Sequence, residues 1–182
     1  MPAYIALLRG INVGGQKVIR MADLQRHFAD AGAMDVRTYI QSGNVVFTHA
    51  EKSPAIVRRI LEKHLAAKLG CVVPVLVKTV REFATIAAAN PFDSSLPEFG
   101  RQMYVCFFEK PPAPAAVAGI QPLTSDRERL VVKAAAGYAY YADGLGRARL
   151  TSAVIERKLG LATLRNWNTV TALLRLAGME RS

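Results

Sequence analysis

The side chains best suited to chemistry in this sequence are arginines and amides that follow predicted strands or lead into predicted helices. They lie in two groups, one early and one late in the chain, and the candidate binding residues are Arg9, Asn12, Gln41, Asn44, Arg147, Arg149, Arg165 and Trp167. Guanidinium groups bind phosphates and carboxylates through charge-assisted hydrogen bonds. An exposed indole can also stack on a base. These residue types predict a surface that binds an anionic ligand.

Each group also has a structural interpretation that the sequence leaves open. Trp167 could anchor a hydrophobic core, with Asn168 or Thr169 as the N-cap of the last helix. The glycines after Arg9 could serve only to form a tight, irregular turn. In that case the motifs would be structural, and any function would lie in contacts with partners.

The loop after Arg9 contains Gly10, Gly14 and Gly15 between a predicted strand and a predicted helix, a context typical of phosphate binding. Its spacing does not match G-x-G-x-x-G, and the Gly15-Gln16-Lys17 segment lacks the Gly-Lys-Ser/Thr of a P-loop. The sequence therefore argues against both standard nucleotide motifs.

Groups for nucleophilic, acid–base or metal chemistry are sparse. Asp93 and Asp143 are isolated, and Ser42 has no histidine at a recognisable motif spacing. An enzyme whose groups meet only in the folded chain stays open, because such groups need not be near in sequence. The histidines show no mutual metal-ligand spacing, so we predict no metal site and no cofactor; they are His27, His49 and His64.

Charge is the unusual feature of the composition. The 182 residues carry a formal net charge of +10, with a sequence pI near 10.0. Such an excess favours a polyanionic partner, because neutralising phosphates releases counterions, although a solvated basic surface is the alternative. No apolar run is long enough to span a bilayer, and we expect a soluble cytoplasmic protein. Cys71 and Cys106 lie in apolar, strand-like segments and are expected to be buried.

Hydrophobic spacing in the first half predicts the order strand, helix, strand, strand, helix, strand. A hairpin is predicted about Gly43-Asn44, and Thr79 with Glu82 indicates a capping box that opens a further helix. The strands are predicted at residues 3–9, 36–40, 45–48 and 72–77. The first helix runs from Met21 to Gly32, and the second begins at Ser53-Pro54 and ends near Gly70, with an apolar stripe of Ile56, Ile60, Leu61 and Leu65.

The turn-rich segment 90–100 is the predicted joint, and the same order of elements then recurs. Predicted strands at 103–108, 129–135, 138–141 and 161–165 accompany helices within 111–120, at 150–159 and at 168–177, with a hairpin about Gly137. We therefore predict an α+β fold, a tandem duplication of ferredoxin-like βαββαβ units with extra helices. The two units are predicted at residues 1–90 and 101–182.

Five segments occur together in order: 7–15 (LLRGINVGG), 38–45 (TYIQSGNV), 90–92 (NPF), 156–160 (ERKLG) and 165–170 (RNWNTV). With these segments the chain resembles, nearly from end to end, the bacterial family called domain of unknown function 1697. The resemblance implies a shared fold and brings no established activity or catalytic residue. Where similar sequences tend to have serine, this chain has Ala148, so no serine nucleophile is available there.

Our leading hypothesis from the sequence is a protein that binds nucleic acid or a nucleotide-like phosphate through a basic, amide-rich surface. One alternative is a small-molecule enzyme with a site between the two repeats, where Arg9 or Arg165 would orient a carboxylate or phosphate. The other is a structural or protein-interaction module. A membrane partner is not expected, and the sequence leaves the oligomeric state open.

Overall fold

The structure is a computed structural model that describes residues 1–12, 18–93, 98–134 and 136–179. The chain divides into two compact units, of which one comprises Met1–Thr85 and Ala172–Ser182 and the other comprises Ile86–Thr171. The first unit is therefore assembled from two separate stretches of sequence. Arg37 joins these stretches directly, because its Nη1 donates a hydrogen bond of 3.1 Å to the carbonyl oxygen of Leu176.

The first unit is built on a four-stranded antiparallel sheet. Its strands are β1 (Ala3–Leu8), β2 (Ala33–Tyr39), β3 (Asn44–His49) and β4 (Val75–Thr79). They lie side by side in the order β2-β3-β1-β4. The helices that accompany them are α1 (Met21–Asp30), between β1 and β2, and α2 (Pro54–Leu69), between β3 and β4; α3 (Val80–Ala88) follows β4.

The core of this unit lies between the sheet and its helices. Side chains alternate across a strand, so Tyr4, Ala6 and Leu8 of β1 point to one face and join the same buried cluster. Helix α1 contributes Leu24 and Phe28, which are one turn apart. Helix α2 contributes Val57, Leu61 and Leu65, spaced by four residues. Burial of these apolar faces holds both helices on the sheet.

The second unit has the same strand arrangement. Its strands β5 (Met103–Phe108), β6 (Glu128–Lys133), β7 (Ala136–Tyr141) and β8 (Ala162–Asn166) form an antiparallel sheet in the order β6-β7-β5-β8. The helices are α4 (Phe99–Gln102), α5 (Pro114–Ile120) and α6 (Ser152–Leu159). Helix α7 (Trp167–Leu176) begins in this unit and continues from Ala172 in residues that belong to the first unit. The described residues thus form an α+β fold with two four-stranded antiparallel sheets and seven α-helices.

Several local signals in the sequence are confirmed. The Ser53 hydroxyl accepts the Ile56 N–H at 3.4 Å at the start of α2. Thr79 and Glu82 form the predicted capping box: the Glu82 carboxylate accepts the Thr79 N–H at 2.8 Å, and the Thr79 hydroxyl accepts the Glu82 N–H at 3.1 Å. These bonds satisfy N–H groups that have no partner inside the helix.

The hairpin between β2 and β3 differs from the prediction. Tyr39 pairs with Asn44, so the turn consists of residues 40–43 and Asn44 is the first residue of β3. The positive φ angles are 48° at Ile40 and 74° at Gly43. Asn44 therefore has a strand conformation, and its side chain is directed into the protein.

Two details of α2 and β4 also differ. The buried stripe of α2 begins at Val57 rather than Ile56, which is 43% exposed, because only the i, i+4, i+8 series faces the sheet. Strand β4 begins at Val75, after Pro74, which has no N–H to donate to a ladder. Cys71 therefore lies outside the strand and is only partly buried, whereas Cys106 is buried in β5 as predicted.

The second half differs at Gly137 and at the last helix. Gly137 lies inside β7 and pairs with Cys106 and Val132. A Cβ at Gly137 would be 3.2 Å from Cys106 Cβ, so the glycine allows close packing and does not form the turn. At α7 the side-chain oxygen of Asn166 accepts the Asn168 N–H at 3.0 Å, so Asn166 and not Asn168 caps the helix.

Three predictions fall partly outside the described residues. Gly14, Gly15 and Lys17 of the first glycine-bearing loop, residues 94–97 of the predicted joint, and Ala135 at the end of the strand predicted at 129–135 are not described. Among the described helices, none is both long enough and apolar enough to cross a membrane.

Candidate functional site

Asn12 and Gln41, two of the candidate binding residues, meet in the first unit. Asn12 Nδ2 donates to the carbonyl oxygens of Gln41 at 2.8 Å and Ile19 at 3.0 Å, and Asn12 Oδ1 accepts the Ile19 N–H at 2.8 Å. The backbone of Asn12 has a φ of 55°. Asn12 therefore ties the loop after β1 to the β2–β3 hairpin, while the Gln41 side chain stays exposed.

Asn44 belongs to the same hairpin as Gln41, whereas Arg9 follows β1 and bonds to the segment before β4. Asn44 is fully buried, and its Nδ2 donates to the Tyr39 carbonyl at 3.1 Å and to the Ser42 hydroxyl at 2.8 Å. Arg9 is partly buried, and its backbone N–H donates to the Pro74 carbonyl at 2.9 Å. Asn12 joins the loop to the hairpin and Asn44 braces the hairpin itself, which agrees with the structural interpretation of this group.

Arg165 and Trp167 are largely buried in the second unit. Arg165 is 9% exposed, and its Nη1 donates to the Thr163 hydroxyl at 2.6 Å and to the Leu164 carbonyl at 3.0 Å. Burial lowers the pKa of Arg165 to about 10, which leaves the guanidinium charged at neutral pH. Trp167 is 8% exposed and packs edge-on against Phe99, with ring centroids 5.5 Å apart, as the core-anchor alternative predicts. A role of either side chain in ligand binding stays a prediction.

Arg147 and Arg149 have a different environment, since both are exposed on the segment 143–151, which we call the arginine loop. The Glu128 carboxylate holds this loop by accepting the Arg149 N–H at 2.9 and 3.0 Å and the Leu150 N–H at 2.9 Å. Neither guanidinium donates a hydrogen bond to a residue in the described part of the chain. The loop therefore has an anchored backbone and two cationic side chains in solvent.

The start of the arginine loop carries an ion pair. Arg127 donates from Nε to the Asp143 carboxylate at 2.7 Å, and its Nη2 also contacts that carboxylate. The hydrogen bond from Arg127, with the positive charges of Arg127 and Arg147, lowers the pKa of the Asp143 carboxyl. Asp143 is thus held as a carboxylate by Arg127, and the positive charge of Arg147 acts on it in the same direction.

Arg129 is an exposed cation that is not among the candidate binding residues. Its guanidinium carbon lies 4.8 Å from the centroid of the Tyr140 ring and 5.4 Å from that of Phe92. Arg129 and Tyr140 are brought together because they are cross-strand partners in the β6–β7 hairpin. A cation placed over two aromatic rings is held in one position on the sheet edge.

The histidines give a second result that spacing along the sequence did not indicate. His27 of α1 and His64 of α2 lie together, with ring centroids 5.9 Å apart. Asp30 of α1 adjoins them, and one ligand atom from each of the three residues lies within 4.8 Å of the others. Residues that are 37 positions apart meet because both helices pack on the same face of the first sheet.

Comparisons with known proteins give the family and no activity. No curated protein matches the chain. A solved structure, that of the conserved bacterial protein SP0830 from Streptococcus pneumoniae, is similar with a TM-score of 0.75 and 22% sequence identity, and the match covers 97% of this chain and 98% of that one. At this identity the similarity shows a common fold. The family model described as "Protein of unknown function (DUF1697)" matches residues 1–138, and the chain therefore belongs to the DUF1697 family.

Proposed function

We propose that this protein binds a phosphate-bearing anion, a nucleic acid or a nucleotide-like phosphate, through the arginine loop of its second unit. The observation that carries the proposal is the pair of exposed guanidiniums, those of Arg147 and Arg149, on a backbone held by Glu128. Arginine is suited to this role because its planar donors match the oxygens of a phosphate.

The anchoring by Glu128 favours binding in two ways. It fixes the backbone of the loop before a ligand arrives, so less conformational entropy is lost on binding. It also directs the Glu128 carboxylate to backbone N–H groups, and that carboxylate forms no ion pair with the side chain of Arg147 or Arg149. The net charge of +10 adds long-range attraction for a polyanion.

The proposal also includes a duplicated ferredoxin-like fold and a cytoplasmic location. The identical strand orders and the matching sequence of strands and helices support a duplication of ferredoxin-like βαββαβ units, at residues 1–90 and 101–182. A cytoplasmic location fits a nucleic-acid or nucleotide ligand, both of which are abundant there.

The test is a binding titration with a fluorescent single-stranded oligonucleotide over a series of salt concentrations, repeated with a nucleoside triphosphate as competitor. For single strands the slope of log K against log salt is about −0.7 per phosphate neutralised. The double variant Arg147→Ala/Arg149→Ala should therefore bind more weakly at low salt and have a slope that is smaller by about 1.4. Competition by the triphosphate at low concentration would indicate the smaller ligand.

The matched control is the double variant Arg59→Ala/Lys68→Ala, which removes the same charge from exposed positions of α2 in the other unit. If the arginine loop is the site, this control should keep the wild-type slope. Equal losses in the two double variants would refute a local site, and so would binding that does not depend on salt.

A further inference from the structure

His27 and His64 form a buried polar contact that the hydrogen bonds of the protein do not satisfy. Among the described residues, His27 Nδ1 and His64 Nε2 are inaccessible to solvent and have no hydrogen-bond partner. Buried ring nitrogens of histidine nearly always have a partner, because removing them from water without one costs free energy. The two atoms belong to rings whose centroids are 5.9 Å apart, so α1 and α2 each bring an imidazole with an unsatisfied nitrogen to the same contact.

Asp30 supplies a negative charge at the same place. It is the last residue of α1, one turn after His27, and its side chain is exposed. A carboxylate is unfavourable at this end of a helix, where the carbonyl groups carry partial negative charge. No hydrogen bond or ion pair joins Asp30 to another described residue. A bound cation would offset both unfavourable features.

We propose that His27, Asp30 and His64 form a binding site for a divalent transition-metal ion, with Zn²⁺ as the expected ion. The set consists of two imidazole nitrogens and one carboxylate oxygen, a combination that suits zinc and similar borderline ions better than Mg²⁺ or Ca²⁺. The site lies within the first unit and is independent of the arginine loop.

The geometry requires only a small closure around the ion. The three ligand atoms lie within 4.8 Å of one another. Zinc bonds of about 2.0–2.1 Å in tetrahedral geometry place ligand atoms about 3.3 Å apart. The torsion between Cβ and the imidazole ring is broad in histidine, so the rings can reorient toward an ion.

Three protein ligands leave one position of a tetrahedral zinc ion for water. Asp30 is exposed, so a water ligand can reach the ion from its side, while one ring nitrogen of His27 and one of His64 hold the ion between α1 and α2. The ion would therefore link the two helices of the first unit, and it would carry an exchangeable ligand. Such an arrangement permits structural and Lewis-acid roles.

The test is isothermal titration of the full, chelator-treated chain with ZnCl₂, together with the absorption spectrum of the Co²⁺ form. We expect one ion per chain, and a visible Co²⁺ spectrum of a four- or five-coordinate site. His27→Asn and His64→Asn should each weaken binding by at least about 100-fold, since even the partners of metal ligands are worth 10–100-fold. Asp30→Asn should weaken it by at least about 10-fold.

Asp23→Asn is the matched control, because Asp23 is a partly exposed carboxylate of the same helix that pairs with Arg26. It should bind Zn²⁺ with the wild-type affinity. Unchanged affinity in Asp30→Asn and in both histidine variants would overturn the proposal, as would the absence of binding by the wild type. If a histidine variant fails to fold, the Zn²⁺ affinity of Asp30→Asn is compared with that of Asp23→Asn. Equal affinities in these two variants would then overturn the proposal.

Discussion

Replacing Asn12 by alanine tests whether this amide stabilises the fold or serves mainly to bind a ligand. The substitution removes three hydrogen bonds at once, two donated by Nδ2 to Gln41 and Ile19 and one accepted by Oδ1 from Ile19. It also places a Cβ-bearing residue without a local polar group at a φ of 55°.

The expected loss follows from these contacts. A net hydrogen bond contributes about 1 kcal/mol, and the bond to Gln41 should contribute less because it is exposed. The left-handed backbone costs alanine about 1 kcal/mol more than glycine. We therefore expect Asn12→Ala to lower the free energy of unfolding by about 2–4 kcal/mol. The loss in Asn12→Gly should be smaller than the loss in Asn12→Ala by about 1 kcal/mol.

The assay is urea denaturation followed by far-ultraviolet circular dichroism, with amide hydrogen exchange at Ile19. The Ile19 N–H is bound to Asn12 Oδ1 at 2.8 Å, so its protection should fall in both variants. An Asn12→Ala variant within about 0.5 kcal/mol of the wild type, with Ile19 still protected, would refute the bracing role.

Two further predictions concern the hairpin turn and the buried tyrosines. Gly43→Ala should destabilise the protein by at least about 2 kcal/mol in urea denaturation, because the added Cβ would lie 2.7 Å from Ile11 Cδ1 and 2.8 Å from Leu8 Cβ at a φ of 74°. The control Gly70→Ala has a φ of 67° and no such neighbour within 4 Å, so it should cost only about 1 kcal/mol. Equal costs would contradict the packing argument. Burial raises the pKa of the Tyr141 hydroxyl above its usual value near 10, so as the pH rises the unfolded chain loses this proton before the folded chain does. The free energy of unfolding should therefore fall above about pH 10, by up to about 1.4 kcal/mol per pH unit. Urea midpoints measured from neutral pH to about pH 11 should fall less steeply in Tyr141→Phe, and identical slopes would contradict this assignment.

Most strands and helices could be predicted from apolar runs and helix-capping residues in the sequence. The run Tyr4 to Leu8 could hardly be anything but a buried strand, and Thr79 with Glu82 indicated a helix start through a local hydrogen-bond pattern that needs no tertiary contact. Short-range signals of this kind depend on neighbours in sequence, and for that reason they were predictable.

The site was harder to predict because burial of polar groups depends on distant partners. Asn44 looks like a turn residue in sequence, yet it is fully buried and bonded to Tyr39 and Ser42. Arg165 looks like a surface cation, yet it lies in the interior beside Thr163. The contact between His27 and His64 follows from the packing of two helices and leaves no trace in local spacing.

The divided first unit has a consequence for how the protein is made. Its early part, residues 1–85, leaves the ribosome long before the segment that begins at Ala172, and the whole second unit is synthesised between them. Until α7 emerges, Arg37 lacks the Leu176 carbonyl to which its Nη1 donates. The second unit can therefore be complete before the first, and the unit translated first is the last to reach its final packing.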